Sequence, residues 1–175
     1  MKKLALVLLL FSLGAVRAHS SIAALVLNIN GFTCTDFTAT GATPGVGVAS
    51  WTWGTTDPFS GSNGGTVTPG RISLNIFNVA RKTDFCSSAL MALSLQGTVS
   101  STVTLTEYDY GGSPQAPVVE SVVVTLTNAV LVSYQLGGNR GVNPQEQLSF
   151  AFTRICLADH TNGASTCYTA PIILR

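Results

Sequence analysis

The sequence predicts a mainly β protein, one barrel or sandwich with a single short helix, and three observations carry that prediction. Apolar residues recur with period two in seven or eight short runs. The runs are rich in β-branched and aromatic residues and are bounded by Gly, Pro, Asn or Ser. Only one stretch switches to helical spacing.

The first run places Leu25, Leu27 and Ile29 on one face, with Val26 and Asn28 between them. Ala49, Trp51 and Trp53 follow, then Ile72, Leu74 and Ile76. From Asp84 to Gln96 the residues Phe85, Ala89, Leu90, Met91 and Leu93 fall near helical spacing. Thr83 or Asp84 is suited to cap the start of that helix, and Gly97 to end it. Alternation then resumes with Val99, Val103 and Leu105 opposite Ser100, Thr102, Thr104 and Thr106. Val118, Val122, Val124 and Leu126 form the next run, Val130, Val132 and Tyr134 another, and Leu148, Phe150 and Phe152 the last. That many strands in one domain imply a barrel or a sandwich. Thr35 to Gly47 and the Gly- and Pro-rich Asp57 to Gly70 read as irregular loops, and Gly111–Pro114 and Gly137–Asn139 as turns. Leu157 to Arg175 reads as an added hairpin pinned by Cys156 and Cys167.

The N-terminus reads as a cleavable secretory signal peptide. Lys2 and Lys3 precede an apolar run from Leu4 to Val16, and Val16-Arg17-Ala18 supplies a cleavage site after Ala18. The run is short of the ~20 residues that span a bilayer, and every later apolar stretch is interrupted. A secreted or periplasmic protein with no membrane segment after cleavage is expected, with residues 19–175 as one domain. Nine basic residues less Lys2, Lys3 and Arg17 leave six against eight acidic ones, a mature net charge of −2. Nucleic-acid binding needs clustered Lys and Arg on phosphates, and Arg81-Lys82 is the only basic pair, so that class is excluded.

Four cysteines, Cys34, Cys86, Cys156 and Cys167, in an exported chain suggest two disulfides. Three pairings are possible. Cys156–Cys167, closing a short local loop, with Cys34–Cys86 as the second bond, is the preferred one. Zinc is disfavoured because no C-x2-C pair occurs.

Catalytic signatures are sparse. The chain holds no G-x-S-x-G elbow, no H-E-x-x-H and no P-loop lysine. Asp57, Glu107, Asp109 and Glu120 read as scattered surface acids rather than a glycosidase pair. Cleavage after Ala18 would make His19 the new terminus, able to hold copper with His160 as in the copper-dependent polysaccharide monooxygenases. An exposed terminal histidine and an exposed loop histidine are the simpler account, so neither a cofactor nor catalysis is expected. Trp51, Trp53, Tyr108 and Tyr110 offer a second alternative, an extracellular glycan- or protein-binding surface, although alternating aromatics in a strand usually pack inward.

From Val48 to Cys156 the chain resembles the Hcp family, the tube-forming proteins of bacterial type VI secretion. The resemblance rests on Ser50-Trp51-Thr52-Trp53-Gly54, a Gly/Pro loop, and Gly70-Arg71-Ile72-Ser73-Leu74-Asn75-Ile76-Phe77. It continues through Ala80-Arg81-Lys82-Thr83-Asp84 leading into the helix with Ser87-Ser88-Ala89-Leu90 and Gly97, then Asn128–Tyr134 and Gln145–Phe152. It implies a β-barrel of two packed sheets with one flanking helix. It also implies homohexameric rings that stack into a hollow tube, with a lumen able to hold protein cargo. Head-to-tail contacts of this kind close into rings. The long loop is then the candidate contact between rings, through Asp57, Pro58, Phe59, Ser60, Asn63, Thr66 and Thr68. A signal peptide, four cysteines and few charges set the chain apart from the family's usual members.

Overall fold

A computed structural model describes residues 22–56, 60–61, 67–68, 73–74, 76–110 and 117–169. The strands are β1 (Ile22–Ile29), β2 (Val46–Gly47), β3 (Ser50–Thr52), β4 (Thr55–Thr56), β5 (Ser60–Gly61), β6 (Val67–Thr68), β7 (Ser73–Leu74) and β8 (Phe77–Lys82). Helix α1 (Ser87–Gln96) precedes β9 (Val99–Tyr110), β10 (Val118–Gly137), β11 (Gln145–Ala151), β12 (Arg154–Asp159) and β13 (Ala164–Thr169).

Two sheets share β10. Its first half, Val122–Thr127, lies between β9 and β12, and its second half, Val130–Gly137, pairs with β11. The partner changes at Asn128, a non-glycine residue at φ 49°. Asparagine tolerates this left-handed conformation better than β-branched neighbours would. Thr153, in the break between β11 and β12, braces the corner: its N–H and its hydroxyl each donate to Thr127 O at 3.1 Å. The sequence reading split this segment into two strands, 118–126 and 130–134. The structure makes it one bent strand, because a single residue of positive φ turns the chain without interrupting the ladder.

One sheet runs β2-β1-β9-β10-β12-β13, the other β10-β11-β8-β3, all antiparallel. The segment from Val46 to Thr52 closes them into a barrel, since it pairs with β1 through Val46 and Gly47 and with β8 through Ser50–Thr52. Between those ladders Val48 N–H donates to Leu25 O and Ala49 N–H to Ala80 O. Opposed residues form rows across the first sheet. Ile29, Val103, Leu126, Ile155 and Tyr168 make one inward row, and Leu27, Leu105 and Val124 the next, continued at the sheet edge by Leu157 and Thr166, which are exposed. Because the side-chain period is two, the row between them, Asn28–Thr104–Thr125–Cys156–Cys167, faces outward.

Two further expectations shift. The strand expected at Ile72–Ile76 is only the short β7, and the barrel strand is the next segment, β8, with Phe77, Val79 and Arg81 pointing inward. The helix begins at Ser87 rather than Asp84, with Cys86 as its N-cap residue, and ends at Gly97 in the left-handed conformation. Asp84 is drawn elsewhere, as described next.

Candidate functional site

Assembly would use surface, so the exposed elements come first. Asp57, Pro58, Phe59, Asn63 and Thr66 lie outside the described residues, as does His19. Ser60 and Thr68 stand opposite each other in the β5–β6 pair, while β4 and β7 pair through Thr55 with Leu74 and Thr56 with Ser73. The described residues of the stretch expected to be irregular thus pair as β5–β6, and β4–β7 pair on either side of it; these two ladders, the arm, begin directly after Trp53 and Gly54.

The helix presents a second surface. Its sequence, SSALMALSLQ, holds no charge. Leu90 is buried in the barrel core, whereas Met91 and, one turn on, Leu95 face solvent, Leu95 at 80 % exposure. Phe85 just before the helix is 71 % exposed, and Val99 just after it is exposed too. On β10 the side chains of Val132 and Leu136 are exposed as well. Helices with apolar residues on the face away from their own core occur where another surface covers them.

Beneath the helix start lies an ion cluster that the sequence reading missed. Arg81 is 1 % exposed and Glu146, its opposite residue on β11, is fully buried. The Arg81 guanidinium donates to Glu146 Oε1 at 3.1 Å, to Asp36 Oδ2 at 2.7 Å, to Gly47 O at 3.2 Å, and to Asp84 Oδ2. Asp36 Oδ1 accepts from Gly47 N–H at 2.6 Å, Asp84 Oδ1 from Cys86 N–H at 2.7 Å, and Glu146 Oε1 from the Ser87 hydroxyl. One guanidinium therefore joins β8, β11, the barrel-closing segment, the loop after Cys34 and the helix start. Three carboxylates around one cation cannot all ionise freely. Burial and the neighbouring Asp84 carboxyl push Asp36 above its usual range. Burial also acts on Asp84, but hydrogen bonds from Asp36, Arg81 and Cys86 N–H hold it below. Burial raises Tyr134 as well, with the nearby Glu146 carboxylate adding to it. The legible signal was the Phe77/Val79 alternation, which a charge at the third inward position concealed.

The Cys34–Cys86 disulfide closes the same junction, and Cys156–Cys167 joins directly opposed residues of β12 and β13. The aromatic residues do not gather into a stacking platform. Tyr108 is fully buried, and its hydroxyl accepts from Thr43 N–H at 3.0 Å. Trp51 is half-buried, stacks on Phe77 at 5.5 Å and donates from Nε1 to Glu107 Oε1 at 2.7 Å. Trp53 packs against the core. His160 Nδ1 faces Glu120 Oε2 at 3.7 Å. Among the described residues no group of three or more His, Cys, Asp or Glu side chains is arranged to hold a metal, and no helix is long and apolar enough to cross a membrane. A groove of about 540 Å³ at the β10–β11 turn is lined by Gln135, Asn139, Asn143 and Gln147 with Leu136 and Val142, none of them an acid, base or nucleophile.

Comparison with known proteins agrees with this geometry. Residues 27–158 match the family model described as "Type VI secretion system effector, Hcp". No curated protein matches the chain. Among solved structures, a type six secretion system protein superposes with a TM-score of 0.70 at 17 % identity, covering 85 % of this chain and 96 % of the other. The Hcp1 protein of E. coli EAEC 042, in a mutant form, gives 0.68 at 16 % identity, covering 83 % and 96 %. Hcp1 of Salmonella typhimurium gives 0.66 at 16 % identity, covering 83 % and 94 %. The family match stops at residue 158, so β13 lies beyond it. With the family model spanning most of the barrel and the solved structures repeating its fold, the chain belongs to the Hcp family of type VI secretion proteins.

Proposed function

We propose that this chain is an exported, non-enzymatic structural subunit. Its signal peptide is removed after Ala18, and the mature protein self-assembles into hexameric rings or stacked tubes whose lumen can take protein cargo. The observation that carries the reading is the charge-free apolar surface of Phe85, Met91, Leu95 and Val99 on an Hcp barrel. Several large apolar side chains gathered at one helix are a surface that protein contact removes from water. The arm of β4 to β7 supplies a second contact, between rings. Asp57, Pro58, Phe59, Ser60, Asn63, Thr66 and Thr68 are the residues proposed to meet the next ring.

Leu95→Asp places a charge on that surface without touching the buried core. Sedimentation velocity and negative-stain electron micrographs of the mature protein should show rings for the wild type and monomers for Leu95→Asp. A wild-type protein that stays monomeric at high concentration would sink the proposal.

A further inference from the structure

The two disulfides differ in exposure at one end, Cys86 buried and Cys167 exposed, and the difference assigns one of them a chemistry. Cys34–Cys86 has one half-buried end, Cys34, and one end without exposed surface. Cys86 is fully buried, and the bond lies within two residues of both Asp36 and Asp84, whose carboxylates are held by Arg81. A thiol from solvent is kept from the Cys86 end and has only the half-buried Cys34 end to attack. Cys156–Cys167 lies on the outward face of the first sheet, with Cys167 exposed and Cys156 half-buried. Among the described residues its outer strand β13 pairs with β12 alone, and its side chains are exposed except for Tyr168. Such an edge opens locally at far lower free energy than a central strand. Arg154 stands two positions from Cys156 on the same face, so an attacking thiolate meets a positive charge there.

We propose that Cys156–Cys167 is a thiol-exchange site, opened by low-molecular-weight thiols while Cys34–Cys86 stays closed. A thiolate attacks the exposed Cys167 sulfur. The new bond joins the small thiol to Cys167, the Cys156–Cys167 bond breaks, and Cys156 leaves as a thiolate. A second thiolate then attacks the sulfur of the small thiol, releasing the small-molecule disulfide and a Cys167 thiolate. Two thiols are oxidised and one protein disulfide is reduced, so electrons balance. Opening has a structural consequence. On the inward side of this hairpin Tyr168 and Ile155 pack with Trp53 around a slot of about 130 Å³. Trp53 leads directly into the root of the β4–β7 arm. The disulfide is thus a latch on the strand that braces the arm's root, and it ties Cys156, inside the family match, to Cys167 on an element outside it.

The test uses the oxidised mature protein with reduced glutathione under native conditions, quenched at intervals with iodoacetamide and mapped by peptide mass spectrometry. Cys156 and Cys167 should be labelled at least tenfold faster than Cys34 and Cys86, with a transient glutathione adduct at Cys167. Amide exchange of Ala164–Thr169 should accelerate on reduction, with β9 and β10 unchanged. Simultaneous labelling of all four cysteines, earlier labelling of Cys34 and Cys86, or loosening of the whole barrel would overturn the assignment.

Discussion

Replacing Arg81 by methionine is the sharpest test of how the barrel is closed. Methionine keeps much of the stem's volume but removes the guanidinium that four acceptors share. Asp36, Asp84 and Glu146 then face one another without a cation, Glu146 with no exposed surface at all. Removing one partner of a buried ion pair costs about 3–5 kcal/mol, because the stranded charge remains buried. Domains of this size unfold at about 5–15 kcal/mol, so the loss is a large share of the whole. At about 2–4 °C per kcal/mol the melting temperature should fall by roughly 6–20 °C. Arg81→Lys should fall between wild type and Arg81→Met, since it keeps the charge and loses the fork that serves several acceptors at once. The pH dependence adds a signed check. Asp36 is already raised by burial and by Asp84, and the variant removes the Arg81 charge that pulls it back down, so its folded-state pKa lies above the unfolded one and the variant regains stability as pH falls and Asp36 takes up a proton. The gap between wild type and Arg81→Met should narrow below about pH 4, near the ordinary carboxyl range. Urea unfolding of the oxidised protein followed by tryptophan fluorescence measures all of this. A loss under about 1 kcal/mol at neutral pH, or a gap that widens in acid, would refute the reasoning.

Tyr134 gives an alkaline counterpart. Its raised pKa means that the stability it contributes is complete below pH 10, the unfolded value, and is lost as pH rises through the higher folded value. Tyr134→Phe should therefore flatten the decline of melting temperature above pH 10 relative to wild type. At the corner, Asn128→Val should lose about 1–2 kcal/mol because a β-branched residue resists the left-handed conformation, whereas Asn128→Gly should stay close to wild type, as chemical denaturation will show.

How far the sequence could be read follows from what each residue type signals. Period-two alternation located β1, β9, β11 and both halves of β10, but not every face: Val99 and Val132 are exposed while Ser100, Thr106 and Leu131 are buried, and β1 buries Val26 as well as Leu27. It failed at β8, where the inward set is Phe77, Val79 and Arg81 and only the fold reveals that the arginine has Glu146 opposite it. It failed at the helix start for the same reason, since Asp84 divides its carboxylate, Oδ2 to Arg81 and Oδ1 to Cys86 N–H, and the helix begins only at Ser87. The arm was legible only as a Gly- and Pro-rich stretch, because two-residue ladders leave no periodicity to detect.

Both failures share one physical cause, and it bears on assembly. A chain with few charges has placed four of them, Asp36, Arg81, Asp84 and Glu146, in a single seam beneath the helix. Charge gathered there is charge withheld from the surface, and the helix above carries none. Desolvating a surface without ions exacts little penalty, whereas burying exposed ion pairs between subunits would demand compensation for each. The same arginine that holds the barrel shut thus leaves Phe85, Met91 and Leu95 on a surface that loses little by meeting another protein. Under the proposed assembly, Arg81→Met should reduce ring formation in sedimentation velocity as well as stability, because Arg81 anchors through Asp84 the helix start that is proposed to make the contact.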